Sequence, residues 1–224
     1  MFISHSKKFI FIHNFKVAGS SIRDALNSYN TLSFKESSFF DKVRFLFRIY
    51  PNIYFDQFPW HIKAREVKDK IPENIFKEYY KFGFVRNPWD WQVSLYTYIM
   101  KTEGHYQHKL IKSMKGFDEY IDWRVNKYLQ LQKDFFFDND VCLMDFVGKM
   151  ENLNEDFAII KAKTGIKSEL SHLNSSRPKD DRFIKYYSQK SVDLVYEAFK
   201  EDIKLFNYSK PRLGASDNLK KQHN

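Results

Sequence analysis

The hydrophobic positions along the chain form short strand-like runs, each followed by a helical pattern. The run from Lys7 to Ile12 ends in Phe-Ile-Phe-Ile, and Tyr80 to Val85 is similarly rich in aromatic and apolar residues. Such runs are typical of buried strands. Behind them, apolar residues return at steps of three and four, which predicts helices over 20–28 and 88–100. Strands that alternate with helices favour an α/β fold with a parallel sheet.

The remaining patterns are mostly helical. Spacing and stop signals predict helices over 62–70, 117–125 and 153–163, an extended segment over 141–149, and a long amphipathic helix from Ser188 to Phe206. Residues 31–60 are rich in aromatics without a clear period, which predicts a helical piece near 39–48 and then an irregular segment. With no repeat or linker in sight, we expect one domain over residues 1–208 and a polar, flexible tail over 209–224.

Composition narrows the class of protein. A chain of 224 residues with 43% hydrophobic and 18% aromatic residues is too apolar for a disordered protein and fits one core. The single Cys142 excludes an internal disulfide and a cysteine cluster for zinc, which favours a reducing compartment. No apolar run has the length of a signal core or a membrane span. We therefore expect a soluble, unexported, cytoplasmic protein with no integral membrane segment.

The charge balance indicates anionic ligands. The formal net charge is +9, but the basic residues are spread over periodic segments and form no compact run of the kind that binds nucleic acid. Charge alone does not choose among a nucleic acid, an acidic glycan, a membrane surface and a phosphorylated small molecule. Together with the motifs described next, it leads us to expect no nucleic acid partner.

Residues 13–21, His-Asn-Phe-Lys-Val-Ala-Gly-Ser-Ser, join the first predicted strand to the first helix. A strand, a tight turn and a helix start direct backbone N–H groups and the positive end of the helix dipole at an anion. Gly19 allows a close approach, Ser20 and Ser21 add hydroxyl donors, and Lys16 adds a charge. Lys16 precedes the glycine, so the loop is not a Walker A motif. The alternative is a helix start with an incidental lysine.

A second motif lies at residues 82–96, where a predicted strand ends in Arg-Asn-Pro and a helix follows. Asn87 can cap the helix, and Pro88 is suited to its first turn. The Arg86 guanidinium can bind a phosphate through two donors, and Ser94 lies about two helical turns farther on. The alternative is that Arg86 forms a structural ion pair and that Ser94 only fills a helix position.

These two motifs resemble those of the sulfotransferases, in particular the carbohydrate sulfotransferase branch. Phe15 and Val17 depart from the family's usual proline and threonine. Residues 60–72 and 143–157 are also similar to segments of that branch. The resemblance implies a P-loop-like three-layer core in which helices flank a central parallel sheet. It further implies that the donor 3′-phosphoadenosine 5′-phosphosulfate (PAPS) binds to Lys16, Val17, Ala18, Gly19, Ser20, Ser21, Arg86, Ser94 and Arg177.

The same resemblance implies in-line transfer of a sulfuryl group to a hydroxyl of a carbohydrate or other small acceptor, with PAP as the product. Lys16 is placed to stabilise the leaving group. His61 is our choice of general base, because its ordinary pKa leaves it neutral near pH 7. His13 and Glu36 stay open as alternatives for that base. No metal is expected.

Some roles stay open at the level of sequence. A polar loop with Arg177, Lys179 and Arg182 is placed to contact phosphate or acceptor. The aromatic residues Trp89, Trp91, Tyr96 and Tyr98 are expected to lie in the core. The acceptor's identity and the oligomeric state are not predicted. Competing functions are a P-loop-like phosphotransferase and a non-catalytic binder of polyanions, but the former lacks GxxxxGK[ST] and a clear Walker B aspartate.

Overall fold

The computed structural model describes residues 1–30, 58–171 and 181–213, together with residues 39 and 43. The chain divides into two compact units, residues 1–85 with 132–176 and residues 86–131 with 177–224. Most of the segment 31–60, the loop with Arg177 and Lys179, and Glu36 lie outside the described residues. The single domain over residues 1–208 stays a prediction.

The first unit contains the sheet that carries the loop at residues 13–21. Its strands, in chain order, are β1 (Phe2–Ser4), β2 (Phe9–Ile12), β3 (Tyr80–Val85), β4 (Phe137–Asp138), β5 (Val141–Cys142) and β6 (Phe146–Lys149). Within the described ranges, the main sheet has the order β1-β2-β3-β6, and β4 pairs only with β5. Strands β2, β3 and β6 are parallel, with Phe11 opposite Phe82 and Phe82 opposite Phe146. Their carboxyl ends therefore meet at one edge of the sheet.

The expectation of a parallel sheet flanked by helices is confirmed, with one strand added in the opposite direction. Strand β1 runs antiparallel to β2, pairing Phe2 with Phe11. The predicted strand over residues 7–12 begins at Phe9, because residues 5–8 form the turn from β1. The extended segment over 141–149 is two short strands, since residues 143–145 leave the ladder.

The described helices of the first unit are α1 (Gly19–Leu26), α2 (Ala64–Lys70), α3 (Glu73–Glu78) and, later in the chain, α7 (Leu153–Thr164). Of these, α1 and α7 pack on the main sheet. Ile22 of α1 and Phe157 of α7 share one core with Phe11 and Phe82 of the sheet. Gly165 ends α7 at φ 68°, as its place after the helical pattern predicts.

Two glycines let aromatic rings lie directly on the strands. A Cβ at Gly83 would come within 2.9 Å of Cζ of Phe136, and one at Gly148 within 2.6 Å of Cε1 of Phe84. Real Cβ atoms do not approach neighbours so closely, so these rings occupy the space that a side chain would need. The rings complete the packing of β3 and β6 near their carboxyl ends.

The second unit is helical in its described part. Its helices are α4 (Pro88–Lys101), α5 (His108–Lys112), α6 (Phe117–Asn126), α8 (Gln189–Ala198) and α9 (Lys200–Leu205). Trp89 and Trp91 of α4 are fully buried, and Trp89 donates its indole N–H to the carbonyl of Val192 on α8, at 3.2 Å. The prediction that these two tryptophans belong to the core is confirmed.

The predicted helix over residues 188–206 is wrong in one respect. It is broken at Phe199, whose φ of −104° and ψ of 17° separate α8 from α9. The Phe199 ring is fully buried and packs edge-on against Trp91, with ring centroids 6.1 Å apart. The uninterrupted apolar spacing of the sequence does not reveal this break.

No helix in the described ranges combines the length and the apolar character needed to cross a membrane.

Candidate active site

The backbone of the loop after β2 has the shape of an anion-binding turn. Lys16 and Ala18 both adopt left-handed conformations, with φ of 62° and 59°. Alternation of right- and left-handed residues turns successive N–H groups toward one side of the chain. Ala18 is the N-cap of α1 and supplies no side-chain cap, and the first turn holds no acidic residue. The N–H groups at the start of α1 are therefore suited to an anion.

Position 19 needs a glycine because the His13 ring occupies the space of a side chain, and not because of its backbone angle. A Cβ at this position would come within 2.6 Å of Cε1 of His13 and overlap the rest of that imidazole. The His13 ring also stacks on Phe11, with centroids 5.6 Å apart. Because it lies between the strand and the helix start, the imidazole fixes the path of the loop.

The other side chains of the loop divide between core and surface. Val17 is fully buried in the cluster that contains Ile22 and Leu26. Its side chain packs in the core, and this packing does not need the hydroxyl of a threonine. Ser20 is exposed at the helix start. Ser21 is 1% exposed, and its Oγ has no hydrogen-bond partner in the described part of the chain. An unsatisfied buried hydroxyl is costly, so it marks a position where a ligand oxygen would fit.

Sequence reasoning missed the support behind this loop. Asn14 is fully buried and donates from Nδ2 to Oε1 of Gln132, which is also buried, at 3.1 Å. Phe15 packs edge-on against Phe135, with centroids 5.6 Å apart. These partners lie more than 100 positions along the chain, and no local spacing indicates that they meet.

His61 lies against the same loop. Its Nδ1 is 3.1 Å from the carbonyl oxygen of His13, and the two imidazole centroids are 4.7 Å apart. A carbonyl only accepts, so Nδ1 carries the hydrogen, and in the neutral ring the lone pair is on Nε2. Partial burial lowers the pKa of His61, although the bond to the His13 carbonyl opposes this effect. The ring is therefore neutral near pH 7, with Nε2 as its basic atom.

His13 is a poorer base than His61. Burial, and then the neighbouring charge of His61, lower the pKa of His13 to about 3. Its ring is enclosed by Phe11, Gly19 and His61. These contacts give His13 a packing role.

In the second unit, the side chains of Arg86 and Asn87 both bind to the first turn of α4. Asn87 caps the helix through its side-chain oxygen, which accepts from the N–H groups of Trp89 and Asp90 at 3.0 and 3.4 Å. Arg86 is 5% exposed, and its Nε donates to Oδ2 of Asp90 at 2.7 Å. Arg86 lies before the N-cap of α4, so the helical i,i+4 rule does not predict this contact from sequence.

Ser94 lies on the side of α4 that also carries Asp90. Residues four apart on a helix share a face, so Asp90 and Ser94 lie on one side of α4, whereas Arg86 precedes the N-cap of the helix. Ser94 is half-buried. Asp90 on this side of the helix is the ion-pair partner of Arg86, which lies just ahead of α4.

The structure also locates other candidates. Arg182 is exposed and lies in a 3-10 helix over Asp181–Tyr186. Tyr96 packs against Tyr120, with centroids 5.1 Å apart, but Tyr98 is 43% exposed, so its predicted place in the core is wrong. Tyr98 points away because its position on α4 falls outside the row that packs inward.

The described residues contain no group of three or more His, Cys, Asp or Glu side chains arranged for a metal.

Comparisons with known proteins show the family of the chain. The sequence model described as the sulfotransferase family matches residues 1–209. Among curated relatives, carbohydrate sulfotransferase 11 of Rattus norvegicus is 28% identical over 181 residues, covering 63% of this chain and 51% of that protein. The same protein of Mus musculus matches equally. The chain thus spans about half the length of these carbohydrate sulfotransferases.

Two further matches complete the comparison. An uncharacterized protein of Archaeoglobus fulgidus is 27% identical over 104 residues, which are 46% of this chain and 82% of that protein. Among solved structures, mouse sulfotransferase SULT7A1 complexed with PAP superposes with a TM-score of 0.50 at 16% identity, covering 99% of this chain and 91% of that one. At this identity the match shows the fold.

Proposed function

Because this chain belongs to the sulfotransferase family, we propose that it transfers a sulfuryl group from PAPS to a hydroxyl of a carbohydrate. The observation that carries the proposal is the loop after β2, in which left-handed Lys16 and Ala18 lead into a helix start without a side-chain cap. Relatives named carbohydrate sulfotransferase, at 28% identity, support the choice of a sugar acceptor. The solved neighbour complexed with PAP supports the choice of donor.

The loop fits the 5′ end of the donor. The N–H groups of Gly19, Ser20 and Ser21 belong to the first helical turn, and the first bond within the helix is from the N–H of Ile22 to the carbonyl of Ala18, at 3.2 Å. Those three donors, with the buried hydroxyl of Ser21, would hold the 5′-phosphate. When bound, PAPS supplies the sulfuryl group and a phosphate as the leaving group.

Lys16 would stabilise the charge that develops on the oxygen between phosphorus and sulfur. Its left-handed backbone places it just ahead of the helix start, where the N–H groups and the positive helix end also favour negative charge. Because this charge grows only as the sulfur–oxygen bond breaks, Lys16 should contribute more to turnover than to binding.

Arg86 and Ser94 would hold the 3′-phosphate of the same donor. Nε of Arg86 donates to Asp90, and a guanidinium is the group that can give phosphate the two-donor contact it prefers. Asp90 therefore acts as a positioning residue. Val17 and Ala18 would contribute through their backbone, and Arg177 remains a proposed contact from the sequence.

His61 would act as the general base. Its Nδ1–H is committed to the His13 carbonyl, so Nε2 can accept the proton of the acceptor hydroxyl. The hydroxyl oxygen then forms its bond to sulfur as the bond from sulfur to the phosphate oxygen breaks, and Nε2 keeps the proton. The lowered pKa of His61 keeps this nitrogen available at neutral pH.

Calorimetry with PAP and single-turnover assays with PAPS test the proposal. We expect Arg86→Ala to weaken PAP binding by about 1.5–3 kcal/mol, the range for a lost charged hydrogen bond. We expect Lys16→Ala to lower turnover mainly. Lys8→Ala is the matched control for Lys16, since Lys8 has a similar left-handed φ of 49° but lies in the turn before β2. Exposed Arg65→Ala is the control for Arg86.

Two results would contradict this function. One is undiminished turnover of Lys16→Ala with donor and acceptor both saturating, which would remove the leaving-group role. The other is turnover that requires ATP and Mg²⁺ and ignores PAPS, which would favour a phosphotransferase.

A further inference from the structure

A short turn of the first unit lies against the loop after β2. We call residues 132–136 the support segment. Its middle is a 3-10 turn over Lys133–Phe135, in which the N–H of Phe135 donates to the carbonyl of Gln132 at 3.1 Å. Side chains three positions apart lie on one side of such a turn. Gln132 and Phe135 therefore face the same way.

These two side chains contact consecutive residues of the loop. Nδ2 of Asn14 donates to Oε1 of Gln132 at 3.1 Å, and the Phe15 ring packs edge-on against Phe135 with centroids 5.6 Å apart. Asn14 and Gln132 are fully buried, and Phe135 is nearly so. Two contacts with one turn fix both the position and the direction of the chain just before Lys16.

Phe15 connects the support segment to the proposed general base. Its ring also meets the His61 ring edge-on, with centroids 5.7 Å apart and an interplanar angle of 84°. Lys16 follows Phe15 directly, so a shift of Phe15 moves the backbone of Lys16 and removes one wall of the His61 ring. Lys16 and His61 are the residues proposed for the transfer itself, and a displacement of about 1 Å in such groups costs roughly 100-fold in rate.

The buried amide of Asn14 is a poor choice for stability alone. Its Oδ1 has no hydrogen-bond partner in the described part of the chain. An unsatisfied buried oxygen lowers stability, whereas an apolar side chain of the same size would not. The asparagine is therefore better explained by what its bond to Gln132 positions.

We propose that Asn14 and Gln132 are positioning residues for sulfuryl transfer. Their hydrogen bond, together with the contact between Phe15 and Phe135, holds the loop so that its N–H groups meet the 5′-phosphate of the donor. Both amides are fully buried and act through the loop. This inference rests on the proposed function, because it assigns these residues a role toward the donor.

Nucleotide binding to the full chain tests the inference without turnover. The variant Asn14→Leu/Gln132→Met replaces both partners by apolar side chains of similar size, so its Tm should stay close to that of wild type. We expect its affinities for PAP and for 5′-AMP to fall by the same factor, at least about fivefold. Affinity for 3′-AMP should not change, because that phosphate is assigned to Arg86 and Ser94. Calorimetry measures all three.

The single variant Asn14→Leu separates positioning from stability. It leaves Oε1 of Gln132 without this donor, so its Tm should fall below that of the double variant. Its PAP affinity should nevertheless match that of the double variant, because both lack the same bond. A purely structural role predicts instead that PAP affinity follows Tm.

Turnover with PAPS and a saturating acceptor gives a second readout. Phe135→Leu removes the ring that Phe15 packs against. We expect kcat to fall by about three- to tenfold, with a smaller change in PAP affinity, because Lys16 and His61 lose their alignment.

Matched controls come from helices of the same unit. Thr164→Val removes a buried hydrogen bond on α7, from Oγ1 to the carbonyl of Ile160 at 2.7 Å. Phe76→Leu removes a buried ring from α3. Both variants should lower Tm and leave PAP affinity and kcat unchanged.

Three results would overturn the inference. They are a double variant that binds PAP and 5′-AMP as tightly as wild type does, a parallel loss of 3′-AMP affinity, and control variants that lose PAP affinity in proportion to their Tm. Failure of the wild-type chain to bind PAP at all would refute the proposed function, and this inference with it.

Discussion

Substitution of Gly19 by alanine adds one methyl group to the loop and so tests how tightly the loop is packed. Its Cα lies against the His13 imidazole, which Phe11 and His61 hold from other sides. We expect Gly19→Ala to lower the free energy of unfolding by about 1–3 kcal/mol, as overpacking does. Urea denaturation measures this change.

Gly104 provides the control for that substitution. No atom lies within 4 Å of a Cβ built there, and its φ is not positive. Gly104→Ala should leave the stability within about 0.5 kcal/mol of wild type or raise it slightly. Equal stability of the two alanine variants would show that the His13 ring yields freely.

The pKa of His13 predicts a dependence of stability on pH. The folded pKa of about 3 lies below the unfolded value of 6.5. Between these values the unfolded chain binds more protons, so stability should be complete above pH 6.5 and fall as the pH drops toward 3. The slope from this residue should reach at most about 1.4 kcal/mol per pH unit.

Urea titrations between pH 7.5 and 4.5 on wild type and His13→Gln measure this slope. The variant lacks the titrating group and should lose less stability in acid than wild type does. Parallel curves for the two proteins would mean that other groups account for the acid sensitivity.

For single residues, the sequence predicts those whose position depends only on their neighbours along the chain. The positions of Lys16 after a strand and of Gly19 and Ser21 at a helix start are predictable, because the segment is continuous in sequence. The contact of His13 with Gly19 depends on a rotamer, and that of Asn14 with Gln132 depends on two segments folding together. Neither has a local signal.

Among the elements, α4 depends on a cap that a single substitution removes. The Asn87 side chain accepts from two N–H groups of the first turn. We expect Asn87→Ala to lower the free energy of unfolding by about 0.5–2 kcal/mol, because those donors lose their partner. Asn87→Ser, which retains a capping oxygen, should lose less, and chemical denaturation distinguishes the two. If alanine and serine cost the same, the cap contributes little.

The helices and strands that the sequence predicts correctly have a clear periodic spacing of apolar residues. β3 spans Tyr80–Val85 as predicted, and α4 differs from its prediction by one residue. β1 was missed because a run of three residues carries no measurable period. The break at Phe199 was missed because its apolar side chain keeps the helical spacing on both sides.

For the molecule as a whole, the proposed donor site predicts stabilisation by PAP. A ligand that binds only the folded state at about 100 times its Kd adds about 2.7 kcal/mol of stability. For a chain of this length, this corresponds to roughly 5–10 °C in Tm. Differential scanning fluorimetry measures the shift, and Arg86→Ala should reduce it. A shift of the same size with 5′-AMP would argue against a 3′-phosphate contact.

The ring of Phe136 over Gly83 limits how this sequence can diverge. Any side chain at position 83 competes with that ring for the same volume, so the two positions can change only together. In a selection from a library randomised at residue 83 alone, glycine should be recovered almost exclusively. When residue 136 is randomised as well, paired solutions with a small residue at 136 become accessible, and those pairs would be inherited as a unit.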